Sequence, residues 1–262
     1  AATLAYESNL QKGEERLILM GDFGGGTSDF VVMRLRGGKH DPRENRKEDI
    51  LSTGGVYIAG DSFDASLMWH KLAKHFGREA KIYGSLPDQI LELPIWIPMT
   101  LCEWHMIPQL RDRKTLQIVH SLRGVSDEDR KAVKNLHTLI IENLGYMMFR
   151  AIERAKRELS EGESSVIEFS EKDIVIRERI TRDEFEALAE DKFQKIEACM
   201  KDTLARSGVS AEDIDVVLLT GGSSFIPKVR RIFSEKFGEE KLLPIDAFTS
   251  VAYGLGLSAT RY

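Results

Sequence analysis

The stretch Gly21-Asp22-Phe23-Gly24-Gly25-Gly26-Thr27-Ser28-Asp29 limits what this chain can fold into more than any other. A short apolar run, Leu17-Ile18-Leu19-Met20, precedes it, and a β-branched one, Phe30-Val31-Val32-Met33-Arg34-Leu35, follows. Two such runs around a glycine turn read as a hairpin. A second turn at Gly37-Gly38 and the run Ile50-Leu51-Ser52-Thr53 add a third strand, so the pattern predicts an antiparallel meander. A turn built only for tightness rarely needs three consecutive glycines. Without Cβ atoms, Gly24, Gly25 and Gly26 let backbone amides approach an anion closely. Carboxylates at both ends, Asp22 and Asp29, would repel a bare phosphate unless a divalent cation lay between them. Mg²⁺ takes oxygen ligands and keeps several waters, so Asp22 is the candidate to hold it through water, and Thr27 to bond a terminal phosphate oxygen. The plainer alternative is a flexible turn with solvated acids.

Composition narrows the classes. The chain has 262 residues, a formal net charge of −5, 42% hydrophobic and 30% charged residues. That suits one large or two modest globular domains and disfavours disorder. A slightly acidic balance argues against nucleic acid as a partner, because such binding needs clustered Lys and Arg. Cys102 and Cys199 stand too far apart for a disulfide framework or a paired-cysteine zinc site, which fits a reducing cytoplasm. No apolar run approaches the ~20 residues of a membrane span; Leu91 to Trp104 is broken by Glu92, Pro94, Pro98 and Glu103. A membrane partner is therefore not expected. The chain opens Ala1-Ala2-Thr3-Leu4-Ala5-Tyr6 with no Met, so processing or excision from a longer chain is expected.

Further along, Asp61 to Phe76 has helical spacing, and Tyr83 to Arg123 is punctuated by proline into short helices or turns. From Ser126, Val133, Leu136, Ile140, Leu144, Met148, Ile152, Ala155 and Leu159 recur at steps of three and four, which predicts one long amphipathic helix. Met147 and Met148 are assigned to its core. Strands are expected over 165–169 and 174–180, then a helix capped by Thr181 with Glu184 as capping-box partner. Asp213 to Thr220 reads as a buried strand, followed by Gly221-Gly222, a helix opened by Pro227 and a C-terminal helix over 251–259. The order predicts an α/β fold: a core of residues 1–56 and 181–262, holding a helix-rich insertion, residues 57–180, that carries a β-hairpin.

Two further segments carry candidate chemistry. At Thr220-Gly221-Gly222-Ser223-Ser224-Phe225-Ile226-Pro227 a strand runs into a helix, whose unpaired amide hydrogens can receive an anion or a polar ligand edge; the alternative is glycine for packing. In Glu153-Arg154-Ala155-Lys156-Arg157-Glu158-Leu159-Ser160, positions 153, 156, 157 and 160 share one helical face and present a carboxylate, two cations and a hydroxyl; the alternative is a solvated face of ion pairs. The Trp104-His105 pair is assigned to core and boundary packing.

Taken together, these segments resemble a known family. Asp22-x-Gly-Gly-Gly-Thr-x-Asp29 is similar to the second phosphate loop of the actin-like (ribonuclease H-like) ATPase superfamily, and Gly221-Gly222-Ser223 with Ile226-Pro227 to its adenosine loop. Glu153-Arg-Ala-Lys156-Arg157-x-Leu-Ser160 resembles the adenine-contacting helix of the heat-shock-70 (DnaK-type) chaperones, and Gly60-Asp61-x-Phe63-Asp64 the segment that opens their insertion subdomain. The Leu93-Pro94 to Trp104-His105 insertion is similar to the smaller YegD-like members, which lack a peptide-binding domain. The resemblance implies a IIA-like core with a IIB-like insertion. It also implies ATP or ADP and Mg as cofactors, with nucleotide contacts from Gly24, Gly25, Gly26, Asp29, Gly60, Asp61, Glu153, Lys156, Arg157, Ser160, Gly221, Gly222, Ser223 and Phe225, and catalytic roles for Asp22 and Thr27. Only the second lobe of the site is represented. The partners implied are therefore the first lobe with its nucleotide, and unfolded clients or co-chaperones, and the chain alone is expected to be nearly inactive. Phe225 stands where the family has an Arg that packs on the base, and the family's ribose-side Asp corresponds to Asp246 by residue type but to Phe248 by spacing, so that contact is left unassigned. The alternative is a non-hydrolysing actin-like nucleotide sensor or assembly module.

Overall fold

The glycine turn does join two long strands. β1 (Glu15–Phe23) and β2 (Ser28–Arg36) pair antiparallel from Glu15 opposite Arg36 to Phe23 opposite Ser28, and β3 (Ile50–Val56) adds to β2, also antiparallel. The structure is a computed structural model that describes residues 10–38, 47–244 and 256. Contacts divide the chain into two compact units, residues 1–60 with 190–262, and residues 61–189.

In the first unit a buried strand, β8 (Val216–Thr220), lies parallel to β1, and β9 (Leu242–Pro244) lies parallel to β8, so the sheet order is β3-β2-β1-β8-β9. All of β8 is buried, as expected of a continuous apolar run in a parallel pairing. A helix of Glu190–Ser207 packs on β2 and β3 so closely that a Cβ on Gly54 would stand 2.0 Å from Thr203 Oγ1, and the Ser52 hydroxyl donates to the Thr203 carbonyl at 2.6 Å. The helix Pro227–Phe237 inserts Phe233 between two strand aromatics, with ring centroids 5.8 Å from Phe23 and 6.2 Å from Phe30. These edge and tilted contacts fix the end of the sheet that carries the glycine turn.

The second unit is mainly helical. In chain order its helices are α1 (Gly60–Leu67, whose first residue belongs to the other unit), α2 (Trp96–Thr100), α3 (Arg113–Ser121), α4 (Asp127–Ile141), α5 (Gly145–Glu161) and α6 (Arg182–Leu188). The short pair β4 (Lys81–Tyr83) and β5 (Ile90–Glu92) and the hairpin β6 (Ser164–Glu171) and β7 (Ile174–Thr181) complete it.

Several expectations change. The long helix from Ser126 is two helices. Ser126 and Asp129 form a capping box, but Asn143 adopts φ 55° and ends the first helix. The second begins at Gly145, where a Cβ would stand 2.7 Å from the Ile107 side chain. Left-handed Asn after a helix is a common stop, and the stripe Ile140, Leu144, Met148 continues in phase across it, hiding the break from periodicity. Met147 is exposed, whereas Met148 is buried. Trp104 is exposed too, its ring edge-on to His105. The helix from Thr181 is also two, α6 and Glu190–Ser207; Thr181 Oγ1 caps the Glu184 amide at 3.2 Å, but the Glu184 carboxylate is taken by Lys71 at 2.8 Å. Phe185 stacks edge-on against Phe63 at 6.0 Å, so α6 goes with the second unit. The divisions therefore fall after residues 60 and 189, where the sequence suggested 56 and 180.

Candidate nucleotide-site elements

In the first unit, the strand pairings gather most of the predicted loop residues. Asp22 is directly opposite Asp29 across the hairpin, and on its other side it pairs with Thr220, at the end of β8. Between the two acids the Gly24 amide donates to the Thr27 carbonyl at 3.0 Å, closing the turn. The Gly60 amide donates to the Gly24 carbonyl at 3.3 Å. A Cβ on Gly60 would meet Ser223 Oγ at 3.4 Å and Gly25 Cα at 3.6 Å. The glycine turn, Gly60 and the Gly221-Gly222-Ser223 turn thus converge at one end of the sheet.

The glycines there serve different ends. Gly221 has φ 83°, and a Cβ on it would stand 2.1 Å from the Phe23 carbonyl oxygen, so the turn after β8 closes against β1 only with glycine. Gly24 and Gly26 have no positive φ; a Cβ on Gly26 would meet nothing within 4 Å, and one on Gly24 only the Thr27 carbonyl at 3.6 Å. The chain itself therefore gives no reason for glycine at either position. Gly24, Gly25 and Gly26 are exposed, as a backbone surface for a ligand must be.

Electrostatics at the turn favour a cation. Asp22 is half-buried, and burial first, the Asp29 carboxylate second, push its pKa up. Thr27 Oγ1 donates to Asp29 Oδ2 at 2.8 Å, so in this state its proton faces Asp29, and bonding a phosphate oxygen requires it to turn away. Asp29 also faces Gly55, where a Cβ would stand 2.6 Å from Oδ1. Two neighbouring acids, one partly desolvated, match the oxygen donor set of Mg²⁺ with its waters. Among the described residues no group of three or more His, Cys, Asp or Glu is placed to hold an ion directly. Ser223 is buried, Gly222 exposed, and Phe225 is 56% exposed on the short turn that follows.

In the second unit, α5 carries the other predicted residues. Glu153 and Arg157 are exposed and Ser160 is half-buried, its hydroxyl 3.4 Å from the Lys156 carbonyl. Lys156 differs: it is buried, with Nζ 2.8 Å from Asp64 Oδ1, and both side chains are about nine-tenths covered. Burial pushes the Asp64 carboxyl up to about 6 although Lys156 pulls it down. Lys156 is thus not a plain member of a solvated face. Asp61, at the start of α1, is exposed.

With that geometry in view, the similarity to known proteins can be set beside it. Residues 142–260 match the model of the Hsp70 protein family. The chain is 28% identical to a heat shock protein of Pyricularia oryzae, over 99% of this chain and 33% of that protein. It is 26% identical to heat shock 70 kDa protein 13 of Mus musculus and 25% to that of Pongo abelii, each over 99% of this chain and 51% of the relative. The chain is therefore similar to Hsp70 proteins, by the family model over its C-terminal part and by these relatives over nearly its whole length. Its mixed α/β architecture is consistent with an actin-like ATPase lobe like that of Hsp70 proteins, and it spans a third to a half of the length of these relatives. Among the described residues no helix is long and apolar enough to cross a membrane.

Sequence reasoning missed Thr220, Gly55 and Asp64 as neighbours of the predicted residues. A parallel pairing between strands as far apart in the chain as β1 and β8 leaves no local signal; only the Asp in the Phe63-Asp64 step was visible. Asp246, Phe248 and, apart from Gly256, the C-terminal helix expected over 251–259 lie outside the described residues.

Proposed function

We propose that this chain supplies the second lobe of an Hsp70-type Mg-ATP site within a chaperone ATPase. Asp22, Thr27 and Asp29 with the amides of Gly24, Gly25 and Gly26 take the metal waters and terminal phosphates. Gly60 and Asp61 stand beside them, and Gly221, Gly222 and Ser223 border the adenosine, with Phe225 offering a ring face to the base. Glu153, Lys156, Arg157 and Ser160 contact the adenine. The observation that carries the reading is the convergence of Gly24, Gly60 and Ser223 beside paired Asp22 and Asp29 in a chain similar to Hsp70 proteins.

Mg²⁺ would supply charge neutralisation at the transferred phosphoryl group. The chain's part is positioning: Asp22 would hold the ion through water, Thr27 would turn its hydroxyl from Asp29 to a phosphate oxygen, and the glycine amides would line the anion. Such catalysis is mostly placement and electrostatics, so one lobe alone should lose nearly all the rate. Cytoplasmic location, a likeness to YegD-like members, and clients or co-chaperones as partners belong to the same proposal.

In the longer protein that this reading implies, Asp22→Asn lowers Mg-dependent ATP turnover by at least about tenfold while the melting temperature stays near the parent's. An unstable variant with normal specific activity removes the metal role from Asp22, and equal turnover by the 262-residue chain alone overturns the two-lobe reading. Tight ATP binding without metal-dependent hydrolysis supports instead the nucleotide sensor or assembly module, which the Phe225 departure favours.

A further inference from the structure

A second basic cluster stands in the helical unit, apart from α5. The end of α3, the loop after it and α4 surround a pocket of about 310 Å³, at the lower edge of the roughly 300–1,000 Å³ that small-ligand sites occupy. Its polar wall is His120, Arg123, Arg130, Lys134 and His137; buried Val119 and Val133 lie among its lining, which includes no Asp or Glu. Arg130, Lys134 and His137 follow at steps of four and three, on one face of α4, where like charges repel. Arg130 pairs with Asp127, and Lys134 with Asp173 from the turn between β6 and β7. Among the described residues the Arg123 guanidinium bonds carbonyl oxygens, those of His120 and Leu122 at 2.7 and 2.8 Å. With two carboxylates set against three cations, the cluster is positive even when both histidines are neutral.

The histidines face each other, His137 Nε2 3.0 Å from His120 Nδ1, with ring centroids 4.6 Å apart. One ring donates and the other accepts, so the contact survives with one ring protonated and is lost when both are. Partial burial first, and His120 second, hold the His137 pKa down. A doubly charged oxyanion reverses that preference, because both imidazolium rings then donate to it together with the arginines. The same nitrogen spacing would suit two ligands on one metal ion, but three cationic side chains and no carboxylate in the lining oppose a cation.

We propose that this pocket binds a phosphoryl-type dianion, either free phosphate or the phosphate of a small monoester. The test uses the full chain, with nucleotide kept saturating so that any second phosphate site is occupied, and follows the histidine ring resonances by NMR. Sulfate is the first probe, since it stays a dianion throughout the pH range and isolates the charge on the histidines. Sulfate is expected to move the His120 and His137 signals and to bind roughly fivefold more tightly at pH 6 than at pH 8, with sodium chloride at equal ionic strength having no such effect. Arg123→Gln weakens binding severalfold without changing the melting temperature, and His120→Gln with His137→Gln flattens the pH dependence. Inorganic phosphate and glycerol 2-phosphate are then compared; tighter monoester binding names the ester as the ligand, and equal binding names the free ion. Undisturbed histidine signals at 20 mM sulfate and pH 6 overturn the proposal, as does Zn²⁺ moving them where the anions do not.

Discussion

The two units use their motif residues in opposite ways. In the sheet unit, Gly24 and Gly26 meet no packing need and no positive φ, and Asp22 and Asp29 face each other across the hairpin. In the helical unit, Lys156 of the resembling helix is held in a buried pair with Asp64. A turn whose residues the fold does not require is readable as function from sequence. A charged helix face is not, since the same lysine supports the fold as well as any ligand. The contrast also extends within the first unit, where Gly221 is structurally obligatory and Gly26 is not.

The sharpest break of that contrast is Gly221→Val. A side chain at φ 83° with its Cβ 2.1 Å from a backbone oxygen cannot be accommodated by a rotamer change, so a loss of about 4 kcal/mol or outright failure to fold is expected in urea unfolding. A loss below about 1 kcal/mol would show that the turn can re-form elsewhere.

Next comes Lys156→Met, which leaves Asp64 buried alone. Breaking a buried pair by removing one partner costs about 3 kcal/mol near pH 8. In the parent, the Asp64 pKa is raised from 3.8 to about 6, so the folded state holds the proton more tightly and stability contributed below pH 3.8 is lost as pH rises through 6. Without Lys156 that pKa rises further, so the decline continues to higher pH and the variant approaches the parent near pH 5. Unfolding curves at pH 5, 6.5 and 8 check this; equal destabilisation at all three means that the carboxyl does not take up the proton.

Gly26→Ala is the counterpart in the turn. With nothing within 4 Å of the new Cβ, stability should stay within about 0.5 kcal/mol of the parent, while phosphate-side nucleotide binding falls. Calorimetric melting alongside nucleotide titration separates the two effects; a large stability loss would return the glycine to a folding role. The smallest effect expected is at the helix break: Asn143→Gly relieves the left-handed backbone and adds about 0.5 kcal/mol, measured by denaturant midpoint.

Much of the architecture is local and was therefore legible. Period-two and continuous apolar runs, glycine turns, and the Ser126 and Thr181 caps specify the meander, the β6–β7 hairpin and several helix starts from neighbouring residues alone. By itself the sequence determined the meander, the β6–β7 hairpin, the glycine-rich turn and the family resemblance that the comparisons then supported. Only the tertiary structure decided what depends on residues distant in the chain. It set β8 beside β1, bringing Thr220 level with Asp22 and closing Gly221 onto Phe23. It brought Gly60 to Gly24, and it ended α4 at Asn143 although the apolar stripe runs on in phase. It also buried Lys156 against Asp64, because a charge on a helix face chooses between water and a partner only when another helix supplies the carboxylate and excludes the solvent.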